Sequence, residues 1–195
     1  MTAFASALLR GAAPELPAAR TLGLCAAASA AFGAAIGAYV GRWQILYAAL
    51  KMPVYFLATL ALSFAAMHLF AARERRTFQV ALETVALTTL VLAGLAPVAL
   101  LASLSLPYTA VVLALTTAVA CGGVVGVVRL HARLRSLRLT AAWVAIYQFV
   151  GAQTAWLLKP WVGSTGTDDR VLPLRENLEG NFYESVFRIV VSMLS

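Results

Sequence analysis

Few residues in this chain can do chemistry inside an apolar medium, so each of those few carries weight. Glu83 and His68 are ionisable groups within long apolar runs, where an ionisable side chain is costly unless it is paired or faces water. Glu83 lies about one turn into its run, close to Arg73, Arg75 and Arg76. That position favours an ion pair with Arg76 or another basic neighbour over proton transfer. A proton relay needs a second carboxylate or a histidine facing the first, and His68, at comparable depth, is the available partner. Gln148 and Gln153 share another apolar run. Five residues apart on a helix they stand about 140° apart, on different faces. Each amide must find partners, either in interhelical hydrogen bonds or in a substrate or partner protein.

Other reactive types carry less. His131 sits among arginines and is expected to be solvated. Cys25 and Cys121 lie inside apolar runs with no CxxC and no Cys/His cluster, so they read as small hydrophobes and not as metal ligands or a disulfide framework. The chain contains no G-x-S-x-G, no HExxH, no P-loop and no dinucleotide fingerprint. A non-enzymatic protein with no metal or cofactor is the expectation.

The elements that position these groups follow from composition. Of 195 residues, 62% are hydrophobic and 12% charged, and the mean hydropathy is +0.84. Soluble domains carry roughly 45–50% apolar and about 25% charged residues, and a globule this small cannot hide the excess. The solvent is lipid. A hydrocarbon core of about 30 Å needs roughly 20 apolar helical residues per crossing. Five runs qualify: 21–40, 52–72, 78–101, 108–128 and 139–158. They are continuous and rich in Ala and Leu, unlike the short alternating strands of a β-barrel. The first is too long for a signal-peptide core and reads as a retained helix. The fold class is therefore all-α, a polytopic bundle of five transmembrane helices over 21–158. An N-terminal cytoplasmic or interfacial segment, 1–20, precedes it and an extracytoplasmic tail, 159–195, follows.

Arginines orient the bundle. Five crossings put Arg10, Arg20, Arg73, Arg75, Arg76, Arg129, Arg133, Arg135 and Arg138 on one side. The side richer in Lys and Arg faces the cytoplasm, so the N-terminus is expected inside and the C-terminus outside, in a bacterial inner membrane. The net charge of +7 then reads as topology beside an anionic leaflet, with a lipid headgroup site among Arg129 to Arg138 as the minor alternative. Nucleic acid is not expected, because no basic face lies on a water-exposed domain.

Small residues mark contact surfaces. Gly33, Gly37 and Gly41 recur every fourth residue, and Gly122 and Gly126 repeat the spacing. Such faces drive helix association in lipid, within the bundle or against a partner or second copy. In the tail, Phe182, Val186, Ile189, Val190 and Met193 form one apolar stripe. About thirteen residues are too few to span, so this segment reads as an interfacial amphipathic helix.

Several strings look familiar once the spans are placed. They are Leu50-Lys51-Met52-Pro53-Val54-Tyr55-Phe56-Leu57, His68-Leu69-Phe70, Leu95-Ala96-Pro97-Val98, Tyr147-Gln148-Phe149-Val150-Gly151-Ala152-Gln153 and Glu179-Gly180-Asn181-Phe182-Tyr183. Over residues 50–194 the chain resembles a family of small bacterial polytopic membrane proteins without an assigned activity. The second to fourth spans are similar to the Yip-type five-helix domain, although Ala71-Ala72-Arg73 stands where that domain often has a glycine pair. These resemblances imply a five-helix membrane domain with a cytoplasmic N-terminus and supply no catalytic residue. The first expectation for function is a scaffold, anchor or accessory subunit of a membrane assembly, with lipids and other subunits or itself as partners. The alternative is a small transporter or lipid-handling protein using Glu83, His68, Gln148 and Gln153.

Overall fold

The computed structural model describes residues 17–41, 43–70 and 75–158, and the expected tail helix lies outside them. All described regular structure is helical: α1 (Ala18–Gly37), α2 (Trp43–Phe70), α3 (Arg75–Ser105), α4 (Tyr108–Leu134) and α5 (Leu137–Leu158). In lipid the backbone must satisfy its own polar groups, and the helix does so within one segment. Serine and threonine hydroxyls follow the same economy. Ser29 donates to the Cys25 carbonyl at 2.6 Å, Thr84 to Val80 at 2.8 Å and Thr154 to Val150 at 2.8 Å.

Helices α1 to α4 are long and apolar enough to cross a membrane. Helix α5 has 22 residues but is not among these spans, because Trp143, Tyr147, Gln148, Gln153 and Trp156 lower its hydropathy.

Boundaries follow local chemistry. Pro17 precedes α1, and its carbonyl accepts from the Arg20 and Thr21 amides at 2.9 and 3.2 Å. Helices α2 and α3 continue through Pro53 and Pro97, and Pro107 occupies the N-cap of α4, a place where its missing N–H costs nothing. Helix α4 departs from expectation by running six residues past Val128. Arg129, His131 and Arg133 are therefore helical and not loop. Arginine is a good helix former, and no glycine or proline interrupts the run. The helix stops at Arg135, whose left-handed backbone (φ 51°) caps it through a 2.9 Å bond from its amide to the His131 carbonyl. Ser136 then opens α5: its hydroxyl accepts from the Leu139 amide at 3.4 Å.

The packing order is not the chain order. Helix α1 lies between α2 and α3, in extensive contact with both, while α2 and α3 barely touch each other. Helix α4 packs on α3 and α5 on α2, and α4 and α5 meet only slightly. The core is built around α1, whose Cys25, Phe32 and Ile36 are fully buried together with Met52 and Leu60 of α2 and Leu82 and Leu92 of α3. Leu101, Leu104, Leu113, Val124, Val128 and Phe149 stay exposed, and these are the side chains that lipid would cover.

Gly33 and Gly37 explain how close α1 and α2 come. A methyl group at Gly33 would run into the Ala48 carbonyl, and one at Gly37 would lie 2.7 Å from the Ile45 Cα. Gly41 does not extend this face. It lies beyond α1 with φ +74° and nothing near the place of a Cβ. Its amide bonds the Gly37 carbonyl at 3.1 Å and its own carbonyl receives the Gln44 amide at 3.1 Å. The third glycine of the repeat is needed for the left-handed turn between helices, not for packing.

Candidate functional site: a cleft between four helices

Because α1 holds α2 and α3 apart, the helices docked outside them cannot close on each other. A cleft of about 560 Å³ remains, within the range of about 300–1,000 Å³ typical of ligand pockets. Helix α3 contributes Ala81, Thr84, Val85 and Thr88, and α4 contributes a stretch from Thr116 to Leu130 that includes Gly123 and Gly126. Tyr55 and Phe56 come from α2, and Trp143, Val144, Tyr147 and Gln148 from α5. Thr116, Val124, Val128 and Gln148 are exposed, so the rim opens to the outside of the bundle. A shallower depression on α4 shares Thr116, Ala120 and Val124 with that rim and adds Cys121.

The lining is apolar with a hydrogen-bonding corner. Tyr55 meets Phe56 edge to face with ring centroids 5.0 Å apart, and Trp143 tilts against Tyr147 at 6.4 Å. Tyr147 lies close to Tyr55 and to Cys25 of α1, and the Cys25 thiol is hydrogen-bonded with Thr89. Gly151 lets α5 settle on α2 here, since a Cβ would stand 3.3 Å from the Tyr55 hydroxyl and 3.4 Å from Thr59 Cγ2. The Thr59 and Ser63 hydroxyls, both fully buried, make no hydrogen bond.

At the arginine end the charges are sorted unevenly. Arg133 donates to Glu83 Oε2 at 3.0 Å, linking α4 to α3, with the carboxylate side chain only 12% exposed. Among the described side chains, the basic neighbour that Glu83 takes is Arg133. His68 is exposed on the last turn of α2 and tilted against Phe64 at 6.0 Å, and Phe64 in turn meets Phe78 of α3 edge to face at 4.9 Å, while the Glu83 carboxylate is engaged by Arg133. His131 is exposed on α4, with Nδ1 3.3 Å from Thr140 Oγ1. Thr140 spends its own proton on the Ser136 carbonyl at 2.8 Å, so the imidazole donates and Nδ1 carries the hydrogen. Arg129 is partly buried, and its Nη2 is fully enclosed without a hydrogen-bond partner.

The remaining expected residues separate. Gln148 lines the cleft and Gln153 does not. Gly122 and Gly126 face α3: a Cβ at Gly122 would lie 3.4 Å from Leu92 and Thr88, and one at Gly126 would strike Thr88 Oγ1. The glycine faces are occupied inside the bundle. Tyr55 and Tyr147 are the lining residues that motif reasoning passed over. A tyrosine in an apolar run reads as an interfacial anchor, and only the packing order places these two together. Among the described residues no three His, Cys, Asp or Glu side chains gather into a metal-binding group. Comparison with protein-family models, curated proteins and solved structures finds no match to this chain.

Proposed function

We propose that this chain is a non-enzymatic, multi-pass protein of the bacterial cytoplasmic membrane that takes a lipid-like amphiphile into the cleft between α4 and α5. One observation carries this reading: a cleft of about 560 Å³, open at its rim, has apolar walls and a corner of tyrosine, glutamine and threonine groups. The lining on α4, Thr116 to Leu130, runs about 21 Å at 1.5 Å per residue. One leaflet of hydrocarbon is about 15 Å deep, so an extended acyl chain fits along it. Lipid-handling is favoured over a scaffold role because the glycine faces that would have served a partner are already buried against α2 and α3.

In this reading α5 is the fifth span. At 22 residues it is about 33 Å long, enough for the hydrocarbon core, and part of its polar surface faces α2 and the cleft. The arginine-bearing ends of α3 and α4 then face the cytoplasm with the N-terminus, and the C-terminus lies outside.

The test is photocrosslinking of the full chain in vesicles containing a diazirine-bearing phospholipid. Saturable labelling of the peptide around Tyr147 and Gln148, competed by unlabelled lipid, supports the proposal. Labelling confined to Leu101, Leu104 and other exposed side chains, with no saturation, refutes it.

A further inference from the structure

Among the described residues, the arginine end of the cleft holds more positive charge than its one carboxylate can neutralise. Gly122, Gly126, Arg129 and Arg133 follow each other at spacings of four, three and four residues, which is one stripe of α4. Gly126 rests on Thr84 and Thr88 of α3, and Arg133 bonds Glu83 on the same helix. Arg129 therefore sits between two contacts to α3, where its neighbours Val127, Val128 and Leu130 line the cleft. Glu83 is the acidic side chain at this end among the described residues, and it is engaged by Arg133. The enclosed Nη2 of Arg129 has no acceptor. A buried donor is ordinarily satisfied, and one left without an acceptor costs free energy, more so on a charged group.

We infer that Arg129, with Arg133 beside it, stands at the headgroup end of the cleft and selects an anionic lipid, whose phosphate accepts from the accessible part of the guanidinium. This rests on the lipid-handling reading above and names its ligand class. The dimensions agree: the arginines lie at the end of a 21 Å lining, about where the headgroup of a cytoplasmic-leaflet lipid sits when its tail runs toward the midplane. Arginine suits the task because its planar fork meets a phosphate through two parallel hydrogen bonds. Glu83 limits the attraction by neutralising Arg133, so that Arg129 carries the selectivity.

The experiment uses the full chain in vesicles of phosphatidylcholine carrying the diazirine phospholipid, with unlabelled phosphatidylglycerol or phosphatidylcholine as competitor. Phosphatidylglycerol is expected to compete about tenfold better, the equivalent of one charge-assisted hydrogen bond. Arg129→Gln should abolish that preference while leaving saturable crosslinking intact, and Arg129→Lys should restore part of it. A variant at Arg20, exposed at the start of α1, should behave as the parent. Equal competition by both lipids, or an unchanged preference in Arg129→Gln, overturns the headgroup assignment alone. Absence of saturable crosslinking in the parent chain overturns the lipid-handling reading itself. Inorganic phosphate added to delipidated protein in detergent should leave the melting temperature unchanged. Stabilisation by phosphate that disappears in Arg129→Gln would give the site to a soluble anion and overturn the lipid assignment.

Discussion

Gly123→Phe tests the cleft most directly. Gly123 lines the cleft, and no heavy atom lies within 4 Å of where its Cβ would stand. A side chain can therefore be added without moving the backbone. The phenylalanine side chain has seven heavy atoms. At no more than the roughly 30 Å³ that one water occupies in the liquid, they take up to about 200 Å³, a third of the 560 Å³. An acyl chain running the length of the lining has no room to pass. Phenylalanine is also a better helix former than glycine, by a few tenths of a kcal/mol, so the variant should melt no lower than the parent. Gly126→Ala, three residues on, is the counter-case. Its methyl would strike Thr88 Oγ1, and overpacking costs about 1–3 kcal/mol, which exceeds or cancels the propensity gain. The assays are melting temperature in detergent and saturable crosslinking of the diazirine phospholipid. Gly123→Phe is expected to keep its stability and lose crosslinking at least tenfold, and Gly126→Ala to keep crosslinking at equal or lower stability. If Gly123→Phe crosslinks like the parent, the lipid does not occupy this cleft and the reasoning fails.

Gly33→Ala forces a methyl against the Ala48 carbonyl, a backbone atom that cannot rotate away. It should therefore lower stability by about 1–3 kcal/mol, read as a drop in melting temperature with no gain in exposed apolar surface. Glu83→Gln leaves Arg133 without its carboxylate. The expected loss is about 1.5 kcal/mol, with Arg133→Gln in the same chain recovering part of it, as a double-mutant cycle would show. Cys121 is exposed and Cys25 fully buried, so a membrane-permeant maleimide should modify Cys121→Ser far more slowly than Cys25→Ser. Equal rates would contradict the packing of α1. If α5 crosses the bilayer, reporters fused to the two termini should report opposite sides, whereas reporters on one side would leave four crossings.

The helices were legible because a lipid-embedded segment has one backbone solution, and the apolar runs mark where it applies. What the residues could not display was the order in which helices meet. Chain order suggests that α2 and α3 are neighbours, which is why His68 and Glu83 look adjacent. The insertion of α1 keeps α2 and α3 apart over most of their length, and Glu83 takes Arg133 from α4 as its ion-pair partner. Treating charge as a boundary failed for the same kind of reason. Arg129 and Arg133 look like loop residues in a hydropathy profile, yet arginine continues a helix well and its long stem tolerates apolar surroundings. The four-residue glycine repeat was sound at Gly33 and Gly37 and failed at Gly41, where spacing alone cannot tell a packing glycine from a turn glycine. The separation of Gln148 from Gln153 could be read because it needed only helical geometry within one element.

The feature that ties these points together is the small-residue content of α1. Helix α1 reads AARTLGLCAAASAAFGAAIG, and a helix with so few large side chains lets two neighbours approach along its whole length. A bulky helix in that place would stand at the edge of the bundle and leave α2 and α3 to pack on each other. With α1 as the wedge, the outer helices α4 and α5 dock on separate partners, joined at the arginine end by only Arg135 and Ser136. That short connection brings Arg133 and Thr140 into place at one end of the cleft, while the rest of the gap between α4 and α5 goes unfilled. The cleft is thus a consequence of where the glycines and alanines lie in the first helix, and the cation at its foot comes from α4 continuing as a helix through its arginines. Enlarging α1 at Ala28 or Ala35, both buried, should therefore disturb ligand retention at a site that neither residue lines.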